Sequence, residues 1–157
     1  MFKKLFRFAI LFVWFLTACG GVNSLPSATP QPAKGSMPAL EGPWTITMNH
    51  SGGIMGLSRF VEVDSTGIYT VKDDRTDQIF TGQLSEEELE DLTNTIKSIT
   101  YVLEKKPHGC ADCFIYDLQI VSDAGRFSAQ VDDISIEGSG LSDLVLLLRG
   151  IIERELI

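Results

Sequence analysis

From Trp44 onward, apolar and polar side chains alternate in short runs. Trp44-Thr45-Ile46-Thr47-Met48 puts every second side chain on one face, the pattern of a half-buried strand. The Gly-rich stretch from Ser51 to Gly56 interrupts it, and Leu57 to Val63 resumes strand-like composition. Two turn sequences, Asp64-Ser65-Thr66-Gly67 and the polar stretch around Asp73-Asp74-Arg75-Thr76, separate a third run, Ile68 to Val71, from a fourth, Gln78 to Leu84. Four short strands joined by tight turns predict an antiparallel meander.

At Ser85 the period changes from two to that of a helix. Ser85-Glu86-Glu87-Glu88 is a capping box, in which the serine hydroxyl serves the third helical N–H and Glu88 reaches back to the cap. Leu84 and Leu89 hold the staple positions, the acids of the first turns suit the positive end of the helix, and Leu89, Leu92, Ile96 and Ile99 form one apolar face. Beyond Lys105-Lys106-Pro107-His108-Gly109, alternation returns in Phe114 to Ile120 and, after Ser122-Asp123-Ala124-Gly125, in Phe127 to Val131, so this pair reads as a hairpin. Leu141, Leu144, Val145, Leu148, Ile151 and Ile152 predict a final amphipathic helix. The expected fold is α+β: an antiparallel sheet of about six strands with two helices packed on one face, in the order ββββαββα. It occupies residues 44–157.

The first 43 residues follow other rules. Lys3, Lys4 and Arg7 precede the uncharged apolar run Phe8 to Leu16, which is followed by the small residues Thr17 and Ala18. That is the three-part plan of a secretory signal, covering residues 1–18. The run is about half of what a membrane-spanning helix requires. Leu16-Thr17-Ala18-Cys19 is similar to the bacterial lipobox, which implies that Cys19 carries a diacylglyceryl thioether and becomes the mature N-terminus. Two or more acyl chains anchor stably where one is marginal. The expectation is an exported protein, held by its N-terminal lipid at a bacterial membrane and facing outside the cytoplasm. Residues 19–43 then read as a lipidated Pro/Gly/Ser-rich tether, with five of the six prolines falling between residues 20 and 43. Its root-mean-square reach would be about 25 to 30 Å.

Charge narrows the partners. The chain of 157 residues has 13 basic and 21 acidic side chains, a net charge of −8; without the first 18 residues, which carry three basic groups and no acid, the remainder stands at −11. A surface of that sign repels phosphate backbones, and no Lys/Arg stripe is present, so nucleic-acid binding is excluded.

Candidate chemistry is sparse. With Cys19 lipidated, Cys110 and Cys113 form an even pair in an oxidising compartment, for which a local structural disulfide is the plain reading. Three alternatives stay open: a redox-active dithiol, although a strand and not a helix follows Cys113; a zinc site, although His108, Cys110 and Cys113 are only three ligands and His50 would have to join by long-range folding; and free thiols. The adjacent carboxylates Asp73-Asp74 and Asp132-Asp133 lack the spacing of a calcium loop and read as solvated turns. No nucleophile elbow or phosphate-binding loop occurs. No catalytic residue, metal or cofactor is expected, and the protein reads as a non-enzyme.

What remains is Ser51-Gly52-Gly53-Ile54-Met55-Gly56. Glycines allow positive φ and close approach of another chain, and two apolar residues sit mid-loop. Composition alone leaves two options: a hairpin whose Ile54 and Met55 fold back onto the core, or a loop that offers them to a partner.

Trp44-Thr45-Ile46, the Ser51-Gly52-Gly53-Ile54-Met55-Gly56-Leu57-Ser58-Arg59 stretch, the Val63-Asp64 strand end, the Leu84-Ser85 helix start, Phe114-x-Tyr116-x-Leu118, Val131-Asp132-Asp133 and the closing Leu-rich helix together resemble the emfourin-like proteins. The similarity runs over roughly residues 44–155. Members of that family are small bacterial proteins, one of which inhibits a thermolysin-like zinc metalloprotease. The resemblance implies a protease-binding loop at Ser51, Gly52, Gly53, Ile54, Met55 and Gly56, with a thermolysin-like metalloprotease as partner. The competing expectation is an envelope lipoprotein that binds or scaffolds another partner and inhibits nothing.

Overall fold

A computed structural model describes residues 37, 39–102 and 110–156. The signal segment, Cys19, most of the tether and His108 lie outside the described residues. The elements are β1 (Trp44–Gly52), β2 (Leu57–Asp64), β3 (Ile68–Asp73), β4 (Gln78–Gln83), α1 (Glu86–Ser98), β5 (Phe114–Ser122), β6 (Gly125–Asp132) and α2 (Ser142–Leu156). This is the expected α+β architecture in the expected order. The six strands form one antiparallel sheet in the order β4-β3-β2-β1-β5-β6, so β1 lies inside the sheet, between β2 and β5.

The alternation seen in the sequence becomes the two faces of that sheet. Ile46, Met48, Val61, Val63, Val71, Leu118, Ile120 and Phe127 are buried on one face. Both helices cover it: α2 packs on β2 and β3, and α1 packs on α2. Leu92 and Ile96 from α1, with Leu144, Val145, Leu148 and Ile152 from α2, complete the core. The Tyr69 hydroxyl on β3 donates to Glu155 Oε1 at 2.6 Å, tying the end of α2 to the sheet. The other face carries Thr47, Asn49, Asp117, Gln119, Ser128 and Gln130 around a shallow depression open to solvent.

Helix α1 starts as its sequence dictates. Ser85 Oγ accepts from the Glu88 amide at 3.2 Å and Glu88 Oε2 accepts from the Ser85 amide at 2.8 Å, both halves of the capping box. Two boundaries move. Strand β1 runs four residues past Met48, because β2 and β5 both hold its backbone through Gly52, although its side-chain pattern breaks at the glycines. The ordered contacts also begin before Trp44: Met37 and Leu40 pack against the core, and Ser122 Oγ donates to the Ala39 carbonyl at 2.9 Å.

Candidate functional site

Pairing between β1 and β2 ends at Gly52↔Leu57, leaving Gly53-Ile54-Met55-Gly56 as a four-residue hairpin loop. The Gly56 amide donates to the Gly53 carbonyl at 3.0 Å, and Gly53 in turn donates to the Cys113 carbonyl at 3.1 Å, so the loop is closed on itself and tied to the start of β5. Glycine is required here for two reasons. Gly52 and Gly53 have φ of 96° and 69°, and a Cβ added to them would lie 2.5 Å from Cys113 O and 2.5 Å from Phe114 Cε1, respectively. Gly56 also has positive φ, 59°, but open space around it.

The two apolar side chains do not fold back onto the core. Ile54 is 87% exposed and Met55 75%, the most exposed large hydrophobic residues among those described. Of the two options left by composition, the hairpin with buried tips is therefore overturned. The loop projects an isoleucine and a methionine into water from a backbone held by a neighbouring strand.

Directly beneath it, the register places a polar row across the inner face of the sheet: Asp73 pairs with Arg59, Arg59 with His50, and His50 with Tyr116. Arg59 Nε donates to Asp73 Oδ2 at 3.2 Å. His50 is only 5% exposed; its ring stacks on Tyr116 with centroids 4.9 Å apart and meets the edge of Phe114 at 5.0 Å. Burial, reinforced by the Arg149 and Arg59 cations, lowers the His50 pKa to about 4, so the ring is neutral at physiological pH. Its Nε2 is buried without a hydrogen-bond partner, so a proton added there would find no acceptor. Burial and the neighbouring Asp133 carboxylate push the Tyr116 phenol up. That hydroxyl donates to Asp133 Oδ1 at 3.1 Å, and the Phe114 amide donates to Asp133 Oδ2 at 2.8 Å. The loop therefore rests on Phe114, Phe114 on His50, and His50 on Tyr116.

Cys110 and Cys113 are joined as a disulfide, with Cα atoms 5.4 Å apart, within the range such a bond spans. Cys113 is also the residue whose carbonyl receives Gly53, so the bridge braces the chain that holds the loop. Among the described residues no group of three or more His, Cys, Asp or Glu is placed to hold a metal ion.

The reading of the carboxylate pairs as solvated turns holds for Asp74 and Asp133, which are exposed in turns, and needs correction for Asp73 and Asp132. Asp73 is buried in its ion pair, and Asp74 accepts from Ser58 Oγ at 2.6 Å. Asp132 is 1% exposed, and its Oδ1 accepts from the amides of Ile134 and Ser135, at 3.1 and 2.7 Å, and from Ser135 Oγ at 2.7 Å. A carboxylate that takes several local donors can leave water, because those donors replace its hydration.

Sequence reasoning weighed His50 only as a distant zinc ligand and missed Arg149 and Asp133 as neighbours. The one signal that could have found Arg149 is a cation set among the apolar positions of a helix that is otherwise mostly core. No protein-family model matches the chain, and no curated protein matches it.

Proposed function

We propose that this protein is a non-catalytic, membrane-anchored inhibitor that blocks a thermolysin-like zinc metalloprotease by inserting the loop Ser51 to Gly56 into its cleft. The observation that carries the reading is the exposure of Ile54 and Met55 on a loop fixed by glycines and by Cys113. A few buried anchors dominate most interfaces, and a preformed loop loses less entropy on docking than a mobile peptide. The resemblance of residues 44–155 to the emfourin-like inhibitors supports the same assignment, and the lipobox-like sequence ending at Cys19 supplies the anchor. The net charge of −11 beyond the signal would steer the domain toward a basic rim, with an association rate that drops as salt rises.

The test is a titration of the chain lacking residues 1–18, with Cys19→Ser, against a thermolysin-like protease encoded by the same genome. Inhibition is expected to fall at least about tenfold in Ile54→Asp/Met55→Asp and to be little changed in Glu90→Lys on the exposed side of α1. Undiminished protease activity at micromolar inhibitor would overturn the assignment in favour of a scaffolding lipoprotein. In cells, Cys19→Ser is expected to lose the acyl mass and leave the membrane fraction; unchanged detergent partitioning would remove the anchor. Alkylation without reductant should add no label to Cys110 or Cys113, and two labels would show a free dithiol.

A further inference from the structure

The second exposed apolar surface lies far from the loop in the chain, between the two helices. Glu88 at the start of α1 bonds Arg154 at the end of α2 at 2.5 Å, and Ser98 and Asp143 line the opposite end of the same cleft, so the helices run antiparallel with a groove between them. Its volume is about 870 Å³. Leu92, Leu147 and Ile151 contribute to its lining, and Leu146 stands at its edge 62% exposed, with Leu147 at 37%.

Two features separate this groove from a plain packing defect. Gly150 lines it in mid-helix, and a Cβ built there would meet nothing within 4 Å. Among the described residues nothing near it requires glycine at that position, and glycine weakens a helix relative to alanine. Its absent side chain leaves room for another backbone to approach. The rim is also charged in one sense. Glu88, Asp91 and Asp143 contribute three carboxylates against the single guanidinium of Arg154, which is already engaged by Glu88 and Glu155 and packed over the Tyr69 ring. A second copy of this chain would bring the same carboxylates and be repelled.

We infer that this groove receives a cationic amphipathic helix of a partner protein, whose apolar stripe lies on Leu147 and Ile151 and whose Lys or Arg side chains meet Asp91 and Asp143. From Asp143 to Arg154 the groove follows α2 for about 16 Å, or three turns of a docked helix. This surface is separate from the loop, so the domain can hold one partner while the loop engages another, and the inference stands whether or not the protease reading does.

The probe is a labelled 14-residue helical peptide with leucines at helical spacing and lysines elsewhere, titrated by fluorescence anisotropy into the chain lacking residues 1–18 with Cys19→Ser. Saturable one-to-one binding is expected. Gly150→Leu, which fills the groove from open space, should weaken it about tenfold or more, while Ile54→Asp should leave it unchanged. Asp91→Lys/Asp143→Lys should reverse the preference, so that the same peptide with glutamates in place of lysines binds better. Circular dichroism of each variant confirms that the fold is kept. Equal binding of the lysine and glutamate peptides, indifference to Gly150→Leu, or absence of saturable binding would overturn the inference. Sedimentation showing a dimer that Gly150→Leu disrupts would overturn it too, by assigning the groove to a second copy.

Discussion

Two hairpin connections on the same strand, β2, solve the problem of reversing the chain in opposite ways. At its far end, Asp64-Ser65-Thr66-Gly67 is held largely by polar side chains: Asp64 Oδ1 accepts from Thr66 N at 2.8 Å, Thr66 Oγ1 at 2.6 Å and Ile68 N at 3.2 Å, Gln83 Nε2 donates to the Thr66 carbonyl at 2.6 Å, and the backbone adds bonds from Gly67 N to the Asp64 carbonyl and from Ser65 N to the Trp44 carbonyl, each 2.9 Å. At its near end, Gly53-Ile54-Met55-Gly56 has no polar side chain at all. Its shape comes from two backbone bonds and from the neighbouring strand. The first turn is polar where it meets water, whereas the second exposes an isoleucine and a methionine. A turn needed only to reverse the chain gains nothing from apolar tips, and the contrast supports the proposal that the second is a contact surface.

The largest effect should come from breaking the support behind the loop. Gly53→Val forces a β-branched residue into positive φ and against Phe114 and should destabilise the domain by about 2 to 4 kcal/mol in urea titrations. Gly56→Ala, in open space, should cost about 1 kcal/mol. Equal losses at the two sites would mean that Phe114 does not brace the loop.

The two ends should also differ in their response to acid. His50 titrates at about 4 in the folded state against an ordinary 6.5, so below pH 6.5 the unfolded chain takes up a proton that the native chain refuses. Its contribution is fully present above 6.5, is lost as pH falls toward 4, and does not change further below that. The slope is at most about 1.4 kcal/mol per pH unit. His50→Leu should flatten the stability profile in that window. Local hydrogen bonds, chiefly from the Thr66 hydroxyl, hold the Asp64 carboxyl below the usual carboxylate range. Its contribution is therefore present above that range and lost as pH falls through the depressed folded value, so Asp64→Ala should flatten only the more acidic limb. At neutral pH that substitution should cost about 1 kcal/mol.

The smallest effect on stability belongs to the exposed tips of the loop. Ile54→Asp/Met55→Asp should change the unfolding free energy by no more than about 0.5 kcal/mol, because both side chains are already in water. A loss several times larger would mean that these residues are packed in solution, which would remove the basis for a docking loop.

Legibility differed for the same reason as the chemistry. The turn at Asp64 could be read from four consecutive residues because every partner but one of its carboxylate lies in the turn itself, and that one, Ile68, follows directly. The capping box at Ser85 was equally plain, with both partners three residues apart. The glycines announced a special backbone at 52–56, but whether Ile54 and Met55 pointed inward could not be read there, since the answer depends on Cys113 and Phe114, some sixty residues later. The Asp132 carboxylate was misjudged for a related reason: adjacency to Asp133 suggested a solvated pair, while the donors of Ser135 and Ile134 drew it into the interior.

The sequence by itself determined which segments are strands and helices, their order and the apolar face of each. Those properties follow from periodicity, caps and turn residues acting over a few positions. Only the tertiary structure decided that β1 lies between β2 and β5, and hence that Asp73, Arg59, His50 and Tyr116 stand in one row with Arg149 nearby. Pairing register and helix docking join residues far apart in the chain, and no local pattern encodes which distant side chain will meet His50 or which carbonyl will receive Gly53.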